Sequence, residues 1–148
     1  MFQVASTSLL RQPTLEAKVA VLSEPGAYPD FQGEVLRRET HMSWVFLVKD
    51  RVYKLKKPVR FPYLDFSTLA LRETTCHAEI KPNRRFAPEV YLGVVPLTVS
   101  ATGLSIGGAG DIVDYLVVMR RLDERAMLDR ALAWISTAKD SPNAGIAK

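Results

Sequence analysis

The sequence predicts an α+β fold in which a five-stranded antiparallel sheet carries one packed helix, with a further helix near each end of the chain. The first observation is the order of the periodic patterns, which is helix, three strands, helix, two strands and helix. The second is a pair of segments rich in valine and tyrosine around a glycine-rich stretch, as in a hairpin. The third is the composition, 47% hydrophobic and 24% charged over 148 residues, which is typical of one globular domain.

The amino-terminal half predicts a short helix followed by three strands. Thr14 is a suitable cap for a helix over residues 15–23, because apolar side chains recur there at helical spacing. The strands are expected at residues 34–40, 43–48 and 51–59. The first is rich in charge, which favours an edge position, and the other two form a hairpin around Lys49 and Asp50. That turn lacks the glycine that a two-residue hairpin prefers.

A longer helix is predicted next. Asp65 and Ser67 are candidate caps, and the helix should extend to about residue 81. Pro82 would cost about 3 kcal/mol in a helix interior, so the helix is expected to stop or kink there.

The carboxy-terminal part predicts a hairpin and a last helix. Strands are expected at residues 90–99 and 112–121, joined by a loose loop that contains four glycines. Asp123 is a suitable cap for the last helix. We expect residues 1–138 to form the folded domain and residues 139–148 to form a disordered tail.

Composition narrows the class of protein. Cys76 is the sole cysteine, which excludes a disulfide framework and a cysteine-based metal cluster and fits a reducing compartment. The amino terminus lacks a secretory pattern, and no apolar run reaches the roughly 18–20 residues of a membrane span. We therefore expect a soluble cytoplasmic protein with no membrane partner. The net charge of +4 makes anionic partners plausible, although a solvated basic face is the commoner cause.

One pair of oppositely charged residues is a candidate functional site. Lys54 lies mid-strand on the face that also bears Lys56, and burying an unpaired ammonium is costly. Glu79 follows helical spacing that places it beside Cys76 and Phe86, on a partly apolar stripe where a carboxylate needs a cation. We therefore expect Lys54 to pair with Glu79, with Lys56 as an alternative anchor. The competing interpretation is two surface charges, on an edge strand and an exposed helix.

Seven segments in order carry a resemblance to a known family. They are AYP at 27–29, ETHMSWVFL at 39–47, VYKLKKPV at 52–59, LDFSTL at 64–69, NRRFAP at 83–88, YLGVVPL at 91–97 and VMRRL at 118–122. These segments resemble the aminoglycoside phosphotransferase-like group of bacterial kinase-fold proteins. The resemblance runs from about residue 16 to about residue 132 and is strongest over 27–122, where it implies the amino-terminal, protein-kinase-like small lobe.

The resemblance implies roles for individual residues. Residues 39–44 would occupy the place of the nucleotide-covering turn, and Lys54 would be the phosphate-binding lysine with Glu79 as its helix partner. Met119 to Leu122 would be the hinge whose backbone meets adenine. ATP is thus the expected cofactor, bound weakly, with Mg²⁺ only if a second lobe is supplied.

The resemblance also implies what this chain lacks. Family members continue into a helical lobe with a His-Gly-Asp-like catalytic loop and a later metal-binding aspartate, whereas neither His41 nor His77 is followed two positions on by aspartate. We therefore expect no catalytic residue and no metal ligand here. The resemblance therefore implies that the chain is a truncated or frame-disrupted ATP-binding lobe, which we expect to be inactive alone.

Two other functions compete with this interpretation. A non-enzymatic module could pair with itself or with a separate carboxy-terminal lobe through residues 119–135. Nucleic-acid binding through the basic strand and Arg84–Arg85 is not expected, because no aromatic side chains alternate on the Lys54 face. The glycines at 107–110 predict a hairpin turn, not a phosphate loop, since no Lys-Ser/Thr pair follows them. His77 and Cys76 point apart on a helix, so no metal site is expected there.

Overall fold

The structure is a computed structural model that describes residues 12–122. It contains two α-helices, a 3₁₀ turn at Pro25–Ala27, and eight strands. The elements are α1 (Leu15–Leu22), β1 (Leu36–Glu39), β2 (Ser43–Val48), β3 (Arg51–Lys56), β4 (Arg60–Phe61), β5 (Leu64–Asp65), α2 (Leu69–Phe86), β6 (Tyr91–Ser100), β7 (Gly103–Ile106) and β8 (Asp111–Arg120).

The main sheet is antiparallel and has six strands in the order β1-β2-β3-β8-β6-β7. The α+β class and the antiparallel sheet are confirmed, but the prediction of five strands is wrong. Residues 103–106, expected in a loop, form β7 against the end of β6. Gly103 (φ 113°) and Gly107 (φ 68°) provide the left-handed backbone at its two ends. The connector after β3 adds a separate two-stranded ribbon, β4-β5.

The larger core lies on the α1 face of the sheet. Val19 and Leu22 of α1 pack there with Tyr28 from the segment that follows. The sheet contributes alternate side chains from its central strands, namely Phe46, Val48, Tyr53, Leu55, Leu97, Leu116 and Val118. Because side chains alternate between the faces of a strand, these positions leave Lys54 and Lys56 on the opposite face.

The second core is smaller and lies under α2. Cys76 and Ile80 pack on Val117 of β8, which is fully buried. Tyr91, Val94, Tyr115 and Met119 surround this cluster. Since Lys54 is the register partner of Val117, its side chain shares the sheet face on which α2 packs.

The two helices begin with threonine caps. Thr14 accepts a hydrogen bond from the Ala17 amide at 3.1 Å, which confirms the first predicted cap. At α2 the cap is Thr68, whose hydroxyl accepts from the Leu71 amide at 3.2 Å. The prediction of Asp65 or Ser67 as the cap is wrong, because the Asp65 carboxylate instead binds the Ser67 amide at 2.9 Å in the preceding turn.

Helix α2 continues past Pro82 to Phe86, so the expected end near residue 81 is also wrong. Tertiary contacts override the proline's local preference. Beyond it, Arg84 donates from its guanidinium to the carbonyls of Tyr91 and Leu92 in β6, at 3.1 and 2.6 Å. These contacts hold the last turn of the helix against the sheet.

Two expectations lie outside the described residues: the helix after Asp123 and the disordered tail at 139–148. Within residues 12–122, no helix has both the length and the apolar character needed to cross a membrane.

Candidate functional site

Lys54 occupies an interior strand of the sheet. Its register partners are Val45 on β2 and Val117 on β8, so β3 is flanked on both sides. The interpretation of Lys54 as a charge on an edge strand is therefore wrong. An interior position under a packed helix fixes where the lysine stem lies, while 28% of its side chain stays exposed.

Glu79 of α2 reaches down to the same face and meets two lysines. Lys54 Nζ and Lys56 Nζ each donate to Glu79 Oε1 at 3.1 Å. The expected Lys54–Glu79 contact is thus formed, and the alternative anchor Lys56 joins the same carboxylate. The second oxygen, Glu79 Oε2, is buried and has no hydrogen-bond partner among the described residues.

The two lysines differ in their surroundings. The side chain of Lys56 is only 4% exposed, compared with 28% for Lys54. Its ammonium lies 5.2 Å from the centre of the Phe66 ring, a cation–π contact that supports a buried positive charge. Lys56 is therefore enclosed by protein, whereas Lys54 retains access to solvent.

The electrostatics of the site follow from these contacts. Burial alone would raise the pKa of Glu79, but the charges and hydrogen bonds of Lys54 and Lys56 outweigh it and hold that pKa below its ordinary value. Cys76, one helical turn before Glu79, is fully buried, and desolvation raises the pKa of its thiol to about 11. The site thus holds two ammonium groups, one carboxylate and a neutral thiol, with a local excess of one positive charge.

An apolar row crosses the sheet next to Lys54. Leu47 pairs with Val52, Val52 pairs with Met119, and Met119 pairs with Tyr91. Because paired residues share a face, the row runs over four strands on the α2 side, and all four side chains are half-buried. The predicted hinge residue Met119 lies in this row.

The segment after β8 is tied to the turn between β2 and β3. The Arg121 amide donates to the Asp50 carbonyl at 2.7 Å, and the Arg120 amide donates to the Val90 carbonyl at 2.7 Å. Leu122, the last predicted site residue, follows directly and is half-buried. The backbone of residues 119–122 is thereby fixed at the end of the apolar row.

The turn between β1 and β2 is held by several contacts. The Thr40 hydroxyl accepts from the Ser43 amide at 3.0 Å, and the Lys57 amide donates to the Met42 carbonyl at 2.8 Å. The His41 ring stacks on Phe61 of β4 with centroids 4.9 Å apart. This turn corresponds to the segment that the resemblance assigns to nucleotide covering.

Phe86 does not belong to the stripe that covers Glu79. It is 66% exposed, and Ile80 with Cys76 forms the apolar contact of α2 with the sheet. The expectation that Phe86 lies beside Glu79 on a packed stripe is wrong, because Phe86 faces solvent and the apolar contact of α2 with the sheet ends with Ile80.

Sequence reasoning missed a buried ionic network. Asp114 of β8 binds Lys18 Nζ at 2.8 Å through Oδ2 and Arg72 Nε at 3.0 Å through Oδ1. Arg72 also donates to the Phe66 carbonyl at 2.9 Å. A signal was present in the sequence, since Asp114 interrupts an otherwise apolar strand and a buried carboxylate there requires cations.

A cavity of about 370 Å³ lies on the other face of the sheet. Its lining includes Tyr28, Phe31 and Tyr53 together with the turn residues Lys49 and Asp50. Tyr53 neighbours Lys54 in β3 but points to the α1 face, so this cavity is separate from the Lys54–Glu79 contact. Among residues 12–122, no group of three or more His, Cys, Asp or Glu side chains could hold a metal ion.

Comparison with known proteins gives partial matches. Uncharacterized proteins of Mycobacterium bovis and Mycobacterium tuberculosis are 37% identical to this chain over 91 residues. The match covers 62% of this chain and 17% of each relative, so the chain spans less than a fifth of their length. No protein-family model matches the chain, and no solved structure matches it. The names of these relatives state no activity.

Proposed function

We propose that this chain binds the phosphates of ATP through Lys54, as the small lobe of an aminoglycoside phosphotransferase-like kinase. The observation that carries the proposal is the contact of Lys54 Nζ with Glu79 Oε1 at 3.1 Å, across an interior strand and its packed helix. A lysine oriented by a helix carboxylate is how kinase-like enzymes present a cation to nucleotide phosphates. The partial exposure of Lys54 leaves its ammonium within reach of a ligand.

The charge of the cluster supports an anionic ligand. Two ammonium groups share one carboxylate, so the site keeps one uncompensated positive charge. In a partly desolvated position such a charge attracts phosphate more strongly than it would in water. The lowered pKa of Glu79 means that the carboxylate stays ionised at neutral pH and keeps orienting the lysines.

The apolar row offers a surface for the base. Leu47, Val52 and Met119 lie on the same face as Lys54 and are half-buried. A planar adenine could cover them while its phosphates extend toward Lys54, which lies two residues beyond Val52 on the same face of β3. Under this proposal Met119 and Leu122 contribute the hinge that contacts the base edge.

The proposal is limited to binding. Phosphoryl transfer also requires a metal ion and a group that orients the acceptor. The described residues offer no metal cluster, so we propose that a second lobe supplies Mg²⁺ ligands and the catalytic groups. Affinity should be weak, on the order of millimolar, since such a cleft closes between two lobes.

Titration of the ¹⁵N-labelled full chain with Mg²⁺–ATP, ADP and adenosine tests the proposal by NMR. ATP and ADP should shift amides around Lys54 and Met119, and adenosine should shift mainly those around Met119. Lys54→Met should weaken ATP binding by about tenfold or more, because a charge-assisted phosphate contact is lost. Arg51→Met is the matched control, since Arg51 lies on the same strand but on the opposite face. The absence of any shift at 10 mM nucleotide would reject the proposal.

The alternative of an interaction module lacks support within the described residues. Most of the surface assigned to it, residues 119–135, lies outside the region that the structure describes. It stays a prediction.

A further inference from the structure

The cavity beside the turn between β2 and β3 lies outside the proposed nucleotide site and has three aromatic rings in its wall. Its volume of about 370 Å³ is at the lower end of the roughly 300–1,000 Å³ that small-molecule pockets span. Tyr28 and Tyr53 are buried members of its lining, with ring centroids 4.9 Å apart and ring planes tilted by 53°. Phe31, which is half-buried, adds the third ring. A space of this size and lining suits a small ligand with an aromatic body.

The hydroxyl of Tyr53 offers such a ligand a hydrogen bond. Tyr53 is only 9% exposed, yet its hydroxyl has no hydrogen-bond partner among the described residues. The hydroxyl of the neighbouring Tyr28, by contrast, donates to the Leu22 carbonyl at 2.5 Å. A buried tyrosine hydroxyl normally has a partner. Because Tyr53 lines the cavity, its hydroxyl can donate to a polar group that binds there.

Charged side chains of both signs line the same cavity, namely Asp30, Lys49, Asp50 and Arg51. All of them are exposed, and among the described residues none of these side chains takes part in an ion pair or a hydrogen bond. The lining thus presents two carboxylates and two cations, with no net charge. A ligand with charge of one sign would be attracted by one pair and repelled by the other, whereas a ligand with both signs can satisfy both pairs.

Two of these charged residues are held in a disfavoured backbone conformation. Asp30 has φ 56° and Lys49 has φ 52°, and within the part of the chain that the structure describes they are the non-glycine residues with positive φ. This conformation is disfavoured for most residues other than glycine, and it is concentrated at ligand-binding and catalytic sites. Both residues line this cavity although they belong to separate segments of the chain. The local backbone therefore points to the same place as the unpaired side chains.

We propose that this cavity binds a small zwitterionic ligand of the class of an aromatic amino acid. Its ring would pack against Phe31 and Tyr53, and its carboxylate would accept from the Tyr53 hydroxyl and contact the cations of the lining. Its ammonium would contact the two carboxylates of the lining. The proposal goes beyond the nucleotide function and is independent of it, because the cavity and Lys54 lie on opposite faces of the sheet.

Three probes of similar shape test the ligand class by NMR of the ¹⁵N-labelled full chain: L-phenylalanine, phenethylamine, which lacks the carboxylate, and phenylpropionate, which lacks the ammonium. L-Phenylalanine should shift the amides around Asp50 and Tyr53. It should bind about tenfold more tightly than either of the others, because each of them loses a charge-assisted contact. A singly charged probe that binds as tightly as L-phenylalanine would overturn the inference. So would the absence of any shift at about 20 mM of all three probes.

Removing the Tyr53 hydroxyl locates the ligand in the cavity. Tyr53→Phe deletes a group without a partner among the described residues, so this variant should unfold at the same urea concentration as the unsubstituted chain. It should nevertheless bind L-phenylalanine about fivefold more weakly, because one hydrogen bond to a charged group is lost. Tyr63→Phe is the matched control, since Tyr63 is 72% exposed and does not line the cavity. An unchanged affinity in Tyr53→Phe would overturn the inference.

Removing one carboxylate tests the contact with the ammonium. Asp30→Asn should weaken L-phenylalanine binding about fivefold and leave the affinity for phenylpropionate unchanged, because that probe has no ammonium. Asparagine also tolerates the left-handed backbone at this position. Glu34→Gln is the matched control, since Glu34 is exposed and lies outside the lining. An equal loss for both probes in Asp30→Asn, or no loss for either, would contradict the proposed contact. No arm uses nucleotide, so these outcomes do not depend on the proposed function.

Discussion

Lys18 and Arg72 bind the same buried carboxylate from helices on opposite faces of the sheet. Asp114 accepts from Lys18 Nζ at 2.8 Å and from Arg72 Nε at 3.0 Å, and no more than 7% of any of the three residues is exposed. Asp114 follows an irregularity in the pairing of β6 with β8, where the register passes from Leu97↔Asp114 to Thr98↔Ile112. Arg72 lies in α2 two turns before Glu79, so this network anchors the helix that carries the candidate site.

Removing the shared carboxylate should be severely destabilising. Asp114→Ala leaves two buried cations without their anion, and breaking a buried ion pair in this way costs about 3–5 kcal/mol. The free energy of unfolding in urea measures the loss. Asp111→Ala is the matched control, because Asp111 lies on the same strand but is exposed, and its change should stay within about 0.5 kcal/mol. A loss below about 1 kcal/mol in Asp114→Ala would contradict the structural importance of the network.

Glu79 should make stability depend on pH. Because its pKa is lower in the folded protein than the ordinary value of 4.5, the unfolded chain binds the proton more readily. The stabilisation from Glu79 is therefore fully present above about pH 4.5 and is lost as the pH falls through the lowered pKa. Unfolding free energies measured between pH 7 and pH 3 should show a steeper decline for the unsubstituted chain than for Glu79→Gln. Parallel curves would show that the carboxylate is not stabilised by its lysines.

Cys76 should be unreactive in the folded chain. Its side chain is fully buried and burial raises the pKa of the thiol to about 11, so very little thiolate exists at pH 8. Labelling with a thiol reagent at pH 8 should be slow in buffer and rapid in 6 M guanidinium chloride. Labelling at the same rate in both conditions would place Cys76 at the surface and contradict the packing of α2 on Val117.

The sequence allowed the Lys54–Glu79 contact to be predicted because both signals are local. Strand alternation places Lys54 on one face, and helical spacing places Glu79 on the packed stripe. The participation of Lys56 on the same oxygen was not predicted, since it depends on how closely α2 approaches the end of β3. Helix approach is set by Cys76, Ile80 and Val117, which no spacing rule brings together.

Two predictions about the fold are wrong because tertiary contacts, which a local sequence pattern does not reveal, decide the end of α2 and the formation of β7. The helix passes Pro82 because Arg84 gains two carbonyl contacts on β6. Strand β7 forms because residues 97–99 of β6, which pair with β8 on one side, leave their other edge open to residues 104–106. Both are tertiary effects that override a local preference. The network around Asp114 joins residues 42 and 96 positions apart, which is equally invisible to a local pattern.

The turn between β2 and β3 stores strain that a substitution should release. The backbone of Lys49 has φ 52°, which lies in the left-handed region. For residues other than glycine, asparagine and aspartate, this conformation costs roughly 1–2 kcal/mol. Lys49→Asn keeps a side chain, tolerates this conformation and should raise the free energy of unfolding by about 0.5–1 kcal/mol. Lys49→Val is the opposing control, because a β-branched residue is poorly accommodated there and should be destabilising by more than about 1 kcal/mol. Urea unfolding of both variants gives the comparison. Equal stability of the Lys49→Asn and Lys49→Val variants would mean that the backbone of the turn is not left-handed in solution. Contacts other than this turn would then set the register of β3, the strand that carries Lys54.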